Sequence, residues 1–182
     1  MVLLMLSEIF DQIKDQWVRA KYQKKHPFRY FVLSTSSQDQ TPQSRMVVLR
    51  DFDSQNMVFT LFTDARSQKM ASLRTNDKAC LLFYDPKRLW QIQAQVQLIK
   101  QSTDPKQYAQ LPKPAQKDYT TRIAPGSPID NPSSVDYLEA ENYFTSLEFE
   151  VHSIESLKLK RPHHVRSLFE RKTLWEGTFL VP

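Results

Sequence analysis

Residues 44–70 read SRMVVLRDFDSQNMVFTLFTDARSQKM, and this stretch sets four cations among runs of apolar side chains. The four cations are Arg45, Arg50, Arg66 and Lys69. The alternation of apolar and polar residues predicts two strands followed by the start of a helix. A buried charge is costly unless an opposite charge or hydrogen bonds compensate it. We therefore expect these cations either to face water or to face an anion.

The positions of the four cations limit what they can bind together. In a regular strand Arg45 and Arg50 would point to opposite faces, because successive side chains alternate. Both can reach one ligand only if a bulge or a strand end redirects one of them. Thr63 is expected at a strand end, with Ser67 and Lys69 at the start of a helix. Such a helix start can hold a phosphate, although this stretch alone favours a capped helix with solvated cations.

The composition narrows the class of ligand. The 182 residues are 40% hydrophobic and 25% charged, which is typical of a single soluble domain, and the net charge of +5 favours an anionic partner. With only two glycines the chain cannot contain a P-loop or a G-x-G-x-x-G turn, so side chains must hold any phosphate. One cysteine excludes an intrachain disulfide and favours the cytoplasm. No run approaches the roughly 20 apolar residues that span a bilayer.

The order of predicted elements indicates the fold class. Residues 1–25 form an amphipathic helix with Ser7 as the expected N-cap. Short strands separated by tight turns follow, leaving no room for crossover helices between most neighbours. We therefore predict one domain over 1–182, mainly β with peripheral helices (α+β), with an antiparallel, barrel-like sheet. Residues 101–146 are rich in Pro, Gln, Asp and Ser, and are interpreted as loops with one or two short helices.

Other chemistry-bearing residues give weaker signals. His163 and His164 are adjacent, so their side chains should diverge, and His26 and His152 are isolated; no metal site is expected. Cys80 lies between apolar residues and is interpreted as a small core residue. The basic segments KYQKK and KLKRPHH lack interleaved aromatic residues, which argues against a nucleic-acid surface. The charge alone does not choose between nucleic acid, a membrane surface and a phosphorylated small molecule. We expect neither a nucleic-acid nor a membrane partner.

The motifs of the opening stretch occur in an order and spacing found in a known family. Arg45, Val47, Leu49 and Arg50 form an Arg-x-aliphatic-x-Leu-Arg strand, and Phe62, Thr63, Asp64, Ser67 and Lys69 follow in an aromatic-Thr-Asp-x-x-Ser-x-Lys segment. This arrangement resembles the FMN-binding core of the pyridoxamine 5'-phosphate oxidase family. The segments ACLLFYD and WQIQAQVQL look like the family's next two strands, and LWEGTFLVP resembles its C-terminal ending.

The resemblance implies an antiparallel split β-barrel that forms a homodimer with FMN at the subunit interface. Arg45, Ser67 and Lys69 would hold the FMN phosphate, and Gln91 would contact the flavin ring. The implied cofactor-binding residues are Arg45, Met46, Val47, Val48, Leu49, Arg50, Phe62, Thr63, Ser67, Gln68, Lys69 and Gln91. The implied substrate-binding residues, some with altered spacing, are Arg50, Tyr119, Arg122 and Ser127. A phosphomonoester suits a planar Arg fork and a Lys point charge.

The sequence departs from the family at the positions that hold the substrate. Residues 161–172 do not place an Arg-x-His pair at the family's spacing, and Arg50 stands where a lysine is usual. The resemblance therefore implies an FMN-dependent oxidoreductase that passes a hydride from a small substrate to flavin N5, with poor activity on pyridoxamine or pyridoxine 5'-phosphate. The catalytic residues stay unassigned. The alternatives are a non-catalytic flavin-binding module and a split barrel that uses deazaflavin or haem.

Overall fold

The N-terminal helix packs one apolar face onto a β-sheet. The computed structural model describes residues 5–182, so the first four positions of the predicted 1–25 segment lie outside the described residues. Helix α1 spans Leu6–Tyr22 and buries Ile9, Ile13, Trp17 and Ala20. Ser7 lies within the helix, and the backbone N–H of Met5 donates instead to the carboxylate of Glu8. The helix ends three residues before position 25, because Gln23 adopts an extended conformation.

Nine strands follow in the described part of the chain. They are β1 (Tyr30–Ser36), β2 (Pro42–Val48), β3 (Asp51–Asp53), β4 (Val58–Asp64), β5 (Lys78–Asp85), β6 (Trp90–Ser102), β7 (Phe144–Lys158), β8 (Val165–Glu170) and β9 (Gly177–Leu180). Every pairing between them is antiparallel, as the short connections predict. Helix α2 (Gln68–Thr75) connects β4 to β5 and buries Met70 and Leu73.

The sheet curls so that its two end strands approach each other. The strand order is β2-β1-β5-β6-β7-β4-β3, with β8 pairing with β7 and β9 with β8. Strands β2 and β3 lie at opposite ends of this path, yet only Leu49 and Arg50 separate them in sequence. The three residue steps from Val48 to Asp51 span at most about 11 Å, so these two end strands must lie near each other. The structure confirms a mainly antiparallel fold of the split-barrel kind.

The first of the two strands predicted in the opening stretch is divided where these end strands approach each other. The Leu49 backbone N–H donates to the Arg29 carbonyl at 2.9 Å, and the Arg50 N–H donates to the Thr60 carbonyl at 3.1 Å. The chain therefore leaves its pairing with β1 at Leu49 and begins pairing with β4 at Arg50. This break is the strand end that can redirect Arg50 relative to Arg45.

Aromatic rings fill the space between α1 and the sheet. Trp17 is fully buried and contacts Phe52, Phe59 and Phe83 with ring centroids 5.2, 4.9 and 5.4 Å away. These rings come from α1, β3, β4 and β5, so one side chain ties the helix to both sides of the barrel. Burying aromatic side chains of this size dominates core stability, at roughly 1.5–3 kcal/mol each.

The segment between β6 and β7 carries two short helices. These are α3 (Pro105–Ala109) and α4 (Lys113–Lys117), and the predicted insertion over 101–146 is shortened because β6 continues to Ser102 and β7 begins at Phe144. Tyr108 and Tyr119 pack their rings against Phe144, with centroids 5.7 and 5.2 Å apart. Within residues 5–182, none of the helices has the length and apolar content needed to cross a membrane.

Candidate functional site

A cavity of about 230 Å³ opens where β2 ends and β4 passes beneath it. Its lining residues are Leu33, Arg45, Met46, Val47, Val48, Arg50, Leu61, Phe62, Thr63, Lys69, Tyr119 and Leu147. The apolar floor comes from β1, β4 and β7, whereas the cations come from β2, the break after it and α2. We call this space the cationic cavity.

Arg45 projects from β2 across the neighbouring strand. Its Nη1 donates to the Leu33 carbonyl at 3.2 Å and to Thr35 Oγ1 at 2.8 Å, and its Nη2 donates to Gln43 Oε1 at 3.3 Å. The register explains the reach, because Arg45 pairs with Leu33 and Gln43 pairs with Thr35. All three partners are neutral, so they orient the guanidinium without cancelling its charge.

Lys69 lies in the first turn of α2 and points back to the end of β4. Its Nζ donates to Thr63 Oγ1 at 2.8 Å and to Ser67 Oγ at 3.1 Å. The hydroxyls of Thr63 and Ser67 are buried and lie 3.3 Å apart. A cation and two hydroxyls thus meet at one end of the cavity, which is a suitable donor set for a phosphate.

Arg50 reaches the same cavity from the strand break. Its guanidinium carbon lies 5.3 Å from the centre of the Phe62 ring. Its Nε is buried and has no hydrogen-bond partner among the described residues. A buried N–H without an acceptor is costly, and a ligand oxygen would satisfy it.

The electrostatics of the cavity favour an anion. Within residues 5–182, none of Arg45, Arg50 and Lys69 has a carboxylate within ion-pair distance. Burial lowers the pKa of Lys69, the Arg45 guanidinium lowers it further, and Asp64 acts in the opposite direction. Burial likewise lowers the pKa of Arg45. Protonated groups that are desolvated and close to one another gain most from a bound negative charge.

Tyr119 closes the cavity from the segment between α4 and β7. Its side chain is 7% exposed, and burial raises its pKa while the Arg50 guanidinium opposes that rise. Of the four implied substrate residues, Arg50 and Tyr119 line the cavity. Arg122 is instead exposed and donates from Nε to Asp136 at 2.6 Å, and Ser127 is exposed in a loop. The structure thus brings two of the four together.

Eight of the twelve implied cofactor-binding residues line this cavity. Ser67 does not line it but accepts a hydrogen bond from Lys69, which does. The other three lie elsewhere. Leu49 is fully buried in the core and contributes only backbone near the strand break. Gln68 is exposed at the first position of α2. Gln91 lies on β6 opposite Tyr84 and Leu157, and it is absent from the cavity lining.

Arg66, the fourth cation of the opening stretch, has a different environment. It forms two hydrogen bonds with the Asp64 carboxylate, at 3.1 and 2.7 Å, and donates to the carbonyls of Thr121 and Arg122 at 2.9 and 3.1 Å. Its guanidinium carbon lies 3.3 Å from the centre of the Tyr143 ring. Asp64 neutralises this arginine, which therefore does not contribute net charge to the cavity.

A second and larger cavity, of about 320 Å³, lies between α1, the β7–β8 connection and β9. Its basic lining residues are Lys158, Lys160, Arg161, His163, His164 and Arg166. Both adjacent histidines reach this one cavity, although their side chains were expected to diverge. Arg166 is paired with Glu155 at 2.7 Å. The two cavities share no lining residue in this chain, and no group of three His, Cys, Asp or Glu suited to a metal occurs within the described range.

Sequence reasoning missed the residues that orient the cations. Thr35 and Gln43 hold Arg45, and Tyr143 stacks on Arg66. Thr35 and Gln43 are polar residues on alternating strands, so the strand register was needed to find them. Tyr143 follows a long loop, and no local pattern indicates its position.

The fold and the cavity define a split-barrel protein with a site for a phosphate-bearing ligand. The family model described as the pyridoxamine 5'-phosphate oxidase FMN-binding domain matches residues 8–100, which is just over half of the chain. The chain belongs to this family, and its cofactor is FMN. The donor set fits that cofactor, since a desolvated Arg–Lys–hydroxyl cluster and a buried unpartnered N–H are suited to a phosphomonoester.

Individual proteins show the same relationship. The chain is 30% identical over 148 residues to a pyridoxine/pyridoxamine 5'-phosphate oxidase from Nostoc sp., a match that covers 80% of this chain and 65% of the relative. The chain thus spans about two thirds of the length of the curated relatives it matches first.

Two solved structures share the fold. One is a pyridoxamine 5'-phosphate oxidase-related, FMN-binding protein from Nostoc punctiforme, with TM-score 0.73, 23% identity and coverage of 94% of this chain and 96% of that one. The other is PhzG from Burkholderia lata in complex with tetrahydrophenazine-1-carboxylic acid, with TM-score 0.79, 16% identity and coverage of 100% and 98%. At these identities they support the fold alone.

Proposed function

We propose that the chain is an FMN-dependent oxidoreductase whose cationic cavity holds the cofactor phosphate. The observation that carries this proposal is the cluster of Arg45 and Lys69 around buried hydroxyls, with no carboxylate paired to either cation in the described range. Charge-assisted hydrogen bonds to a phosphate are about twice as strong as neutral ones. This cluster therefore gives the cavity its selectivity for a phosphorylated ligand.

The rest of the cavity is suited to a planar ring. Val47, Phe62 and Leu61 provide apolar surface in the cavity lining. Bound FMN would supply hydride acceptance at flavin N5. Our assignment gives this chain's residues three tasks: Arg45, Ser67 and Lys69 hold the phosphate, the apolar residues exclude water, and Arg50 with Tyr119 presents donors to a substrate.

The visible absorption spectrum of the purified protein tests the cofactor chemistry directly. We expect flavin bands, and anaerobic addition of a hydride donor should bleach them if the protein is an oxidoreductase. Flavin bands that no donor bleaches would support a non-catalytic flavin-binding module instead. A Soret band would indicate haem, and a colourless protein that does not take up FMN would contradict the proposal.

The cavity also supports a homodimer with FMN at the interface. Its volume of about 230 Å³ lies below the roughly 300–1,000 Å³ typical of ligand pockets, which agrees with a site that a second chain completes. Met46 lines the cavity and is 60% exposed. An apolar outward face on β2, β1 and β5 continues from it. This face consists of Tyr30, Val32, Met46, Val48, Cys80, Leu82 and Tyr84.

We propose a second copy of the chain as the occupant of this face. Gln91 lies beside the face, opposite Tyr84 in the β5–β6 pair, and it points away from the cavity of its own chain. In a dimer Gln91 would become available to the cavity of the other copy, which accounts for its position. Sedimentation should show a dimer at micromolar concentration, and Tyr84→Glu should shift it toward monomer and weaken FMN retention. A wild-type monomer would remove the interfacial site.

The substrate is expected to differ from that of the oxidases. Arg50 replaces the family's usual lysine, and Arg122 is held in an ion pair outside the cavity. Reacting groups need near-contact geometry, and a displacement of about 1 Å can cost about a hundredfold in rate. We expect little formation of hydrogen peroxide and pyridoxal 5'-phosphate from FMN-loaded protein with pyridoxamine or pyridoxine 5'-phosphate. Turnover near one per second, roughly a tenth of the median for enzymes, would contradict this expectation.

A further inference from the structure

The turn that carries the phosphate-binding hydroxyls is tied to a distant segment of the chain. Arg66 lies in the turn between β4 and α2, one residue before Ser67. Its guanidinium donates to the carbonyls of Thr121 and Arg122 and to Thr121 Oγ1, more than fifty residues away in sequence. Few side chains other than arginine can donate in several directions at once from one planar group.

The segment reached by Arg66 is the one that positions Tyr119. The Tyr143 N–H donates to the Tyr119 carbonyl at 2.8 Å, and the Ala65 N–H donates to the Tyr143 carbonyl at 2.8 Å. The Tyr143 ring lies against the guanidinium of Arg66. The backbone at Tyr119 and just after it is thus connected to the phosphate-binding turn, and Arg66 makes the side-chain part of that connection.

Arg66 also neutralises a negative charge close to the end of the cavity where Lys69, Thr63 and Ser67 meet. Asp64 is 5% exposed and ends β4, directly after Thr63, whose hydroxyl accepts from Lys69. The two hydrogen bonds from Arg66 pair this buried carboxylate. The backbone N–H of Arg66 also donates to this carboxylate, at 2.8 Å, but it carries no net charge. Without the guanidinium, Asp64 would therefore be a buried anion whose charge acts on Lys69 in competition with a phosphate.

We propose that Arg66 is a positioning residue with two separable tasks: it fixes the 119–143 segment so that Tyr119 stays in the cavity wall, and it neutralises Asp64 beside Lys69. This inference rests on the proposed phosphate site. It concerns a residue that lines no part of the cavity, and it makes the order of the 119–143 segment depend on the turn that binds the phosphate.

The two tasks can be separated with three variants. Arg66→Ala removes both tasks. Arg66→Lys keeps a cation for Asp64 but loses the fork that bonds two carbonyls and stacks on Tyr143. The double variant Arg66→Ala with Asp64→Asn removes the unpaired carboxylate but does not restore the connection to the segment. Arg74→Ala, which removes an exposed cation from α2, is the matched control.

Two readouts follow the two tasks. FMN affinity is measured by titration, and hydrogen exchange of the amides over 119–143 is measured without FMN. We expect Arg66→Ala to weaken FMN binding about tenfold, which corresponds to one interaction with a charged group. We expect exchange over 119–122 to accelerate by about tenfold or more, since the segment loses its side-chain bonds. The Arg74→Ala control should change neither readout.

The rescue variants decide the proposal. The double variant and Arg66→Lys should both recover FMN affinity to within about threefold of wild type while exchange stays fast. Recovery of slow exchange by Arg66→Lys would show that the fork is not needed, and failure of the double variant to recover affinity would refute the role of Asp64. Unchanged exchange in Arg66→Ala would refute the positioning role. If Lys69→Ala binds FMN as tightly as wild type, the proposed phosphate site fails and this inference fails with it.

Discussion

Two regions of the molecule hold a half-buried cation near the end of a strand, and they treat it differently. In the cationic cavity, Lys69 and Arg45 donate only to hydroxyls, a carbonyl and an amide. At the turn between β5 and β6, Arg88 is paired with the carboxylate of Asp85 and also donates to Gln16 on α1 at 2.7 Å. The charge of Arg88 is compensated by Asp85, whereas the positive charges of the cavity have no carboxylate partner among the described residues.

The partners explain the difference between a structural cation and a binding cation. Asp85 is 4% exposed and also accepts from the backbone N–H of Lys87 at 2.9 Å. Burial alone raises the pKa of Asp85, but hydrogen bonds from Arg88 and the turn backbone outweigh it and lower the pKa. Such a pair stabilises the fold, and its compensated charge does not attract an anionic ligand. Neutral partners orient Arg45 and Lys69 while their charges stay available.

The largest effect should come from removing a cavity cation. Lys69→Ala or Arg45→Ala deletes a charge-assisted hydrogen bond to the FMN phosphate, worth about 1.5–3 kcal/mol, or about ten- to a hundredfold in affinity. The stability of the FMN-free protein should stay the same or rise, because each variant removes a desolvated cation. Titration and thermal unfolding measure the two quantities, with the exposed Lys87→Ala as control. Unchanged affinity in both variants would contradict the phosphate site.

The sequence alone predicted the cavity cations but not how they converge. The spacing of Arg45, Thr63, Ser67 and Lys69 depends on strand alternation and a helix start, which are local features. Whether Arg50 joins them depends on the strand break, which follows from the curling of the sheet. That curling is set by pairings between distant strands, such as β4 with β7, and no local pattern encodes them.

The antiparallel fold was also predictable from local features, but the partners of Arg66 were not. Short connections between strands require antiparallel neighbours, and the apolar spacing of α1 determines which face is buried. The same reasoning treated Arg66 as one more cation beside the phosphate site. Its partners Thr121 and Tyr143 come from a long irregular segment, so only the three-dimensional structure shows that Asp64 neutralises it.

The turn between β5 and β6 should respond in the opposite way. Asp85→Ala leaves Arg88 without its carboxylate and removes the acceptor of the turn N–H groups, so we expect the free energy of unfolding to fall by about 2 kcal/mol at neutral pH. FMN affinity should not change. Denaturant unfolding and FMN titration provide the measurement, and Asp85→Asn separates the charge from the shape of the side chain. If Asp85→Ala lost FMN affinity but kept its stability, the β5–β6 turn would be a binding region and not a structural one.

The same pair predicts a pH dependence of wild-type stability. The folded-state pKa of Asp85 is lowered from 3.8, so its contribution is present above that value and is lost as the pH falls through the lower, folded pKa. The difference in stability between wild type and Asp85→Asn should therefore shrink in acid. A difference that persisted under strongly acidic conditions would indicate that hydrogen bonding, not charge, stabilises the turn.

The cavity should show its own pH dependence, in FMN affinity. The pKa of Lys69 in the FMN-free protein is lowered from 10.5 by burial and by Arg45, and the proposed phosphate site requires the protonated form of this lysine. Between neutral pH and that lowered pKa, FMN affinity should therefore stay at its full value. It should fall as the pH rises through that pKa, by at most about tenfold per pH unit. Titrations between neutral and alkaline pH test this. Lys69→Arg, which stays protonated, should flatten the profile, and an equal decline in that variant would assign the titration elsewhere.

The smallest effect is expected for an ion pair whose cation is exposed to water. Lys100 on β6 bonds Glu148 on β7 at 2.9 Å, with the lysine side chain 60% exposed. Solvent screening reduces such a pair to about 0–1 kcal/mol, and ordering the lysine side chain offsets part of that. Lys100→Ala should therefore change unfolding free energy by less than about 0.5 kcal/mol and leave FMN affinity unaltered. If Lys100→Ala destabilised the protein as much as Asp85→Ala, burial would not be what makes the ion pair at the β5–β6 turn important for stability. The contrast between that turn and the cavity would then rest on the presence of a carboxylate alone.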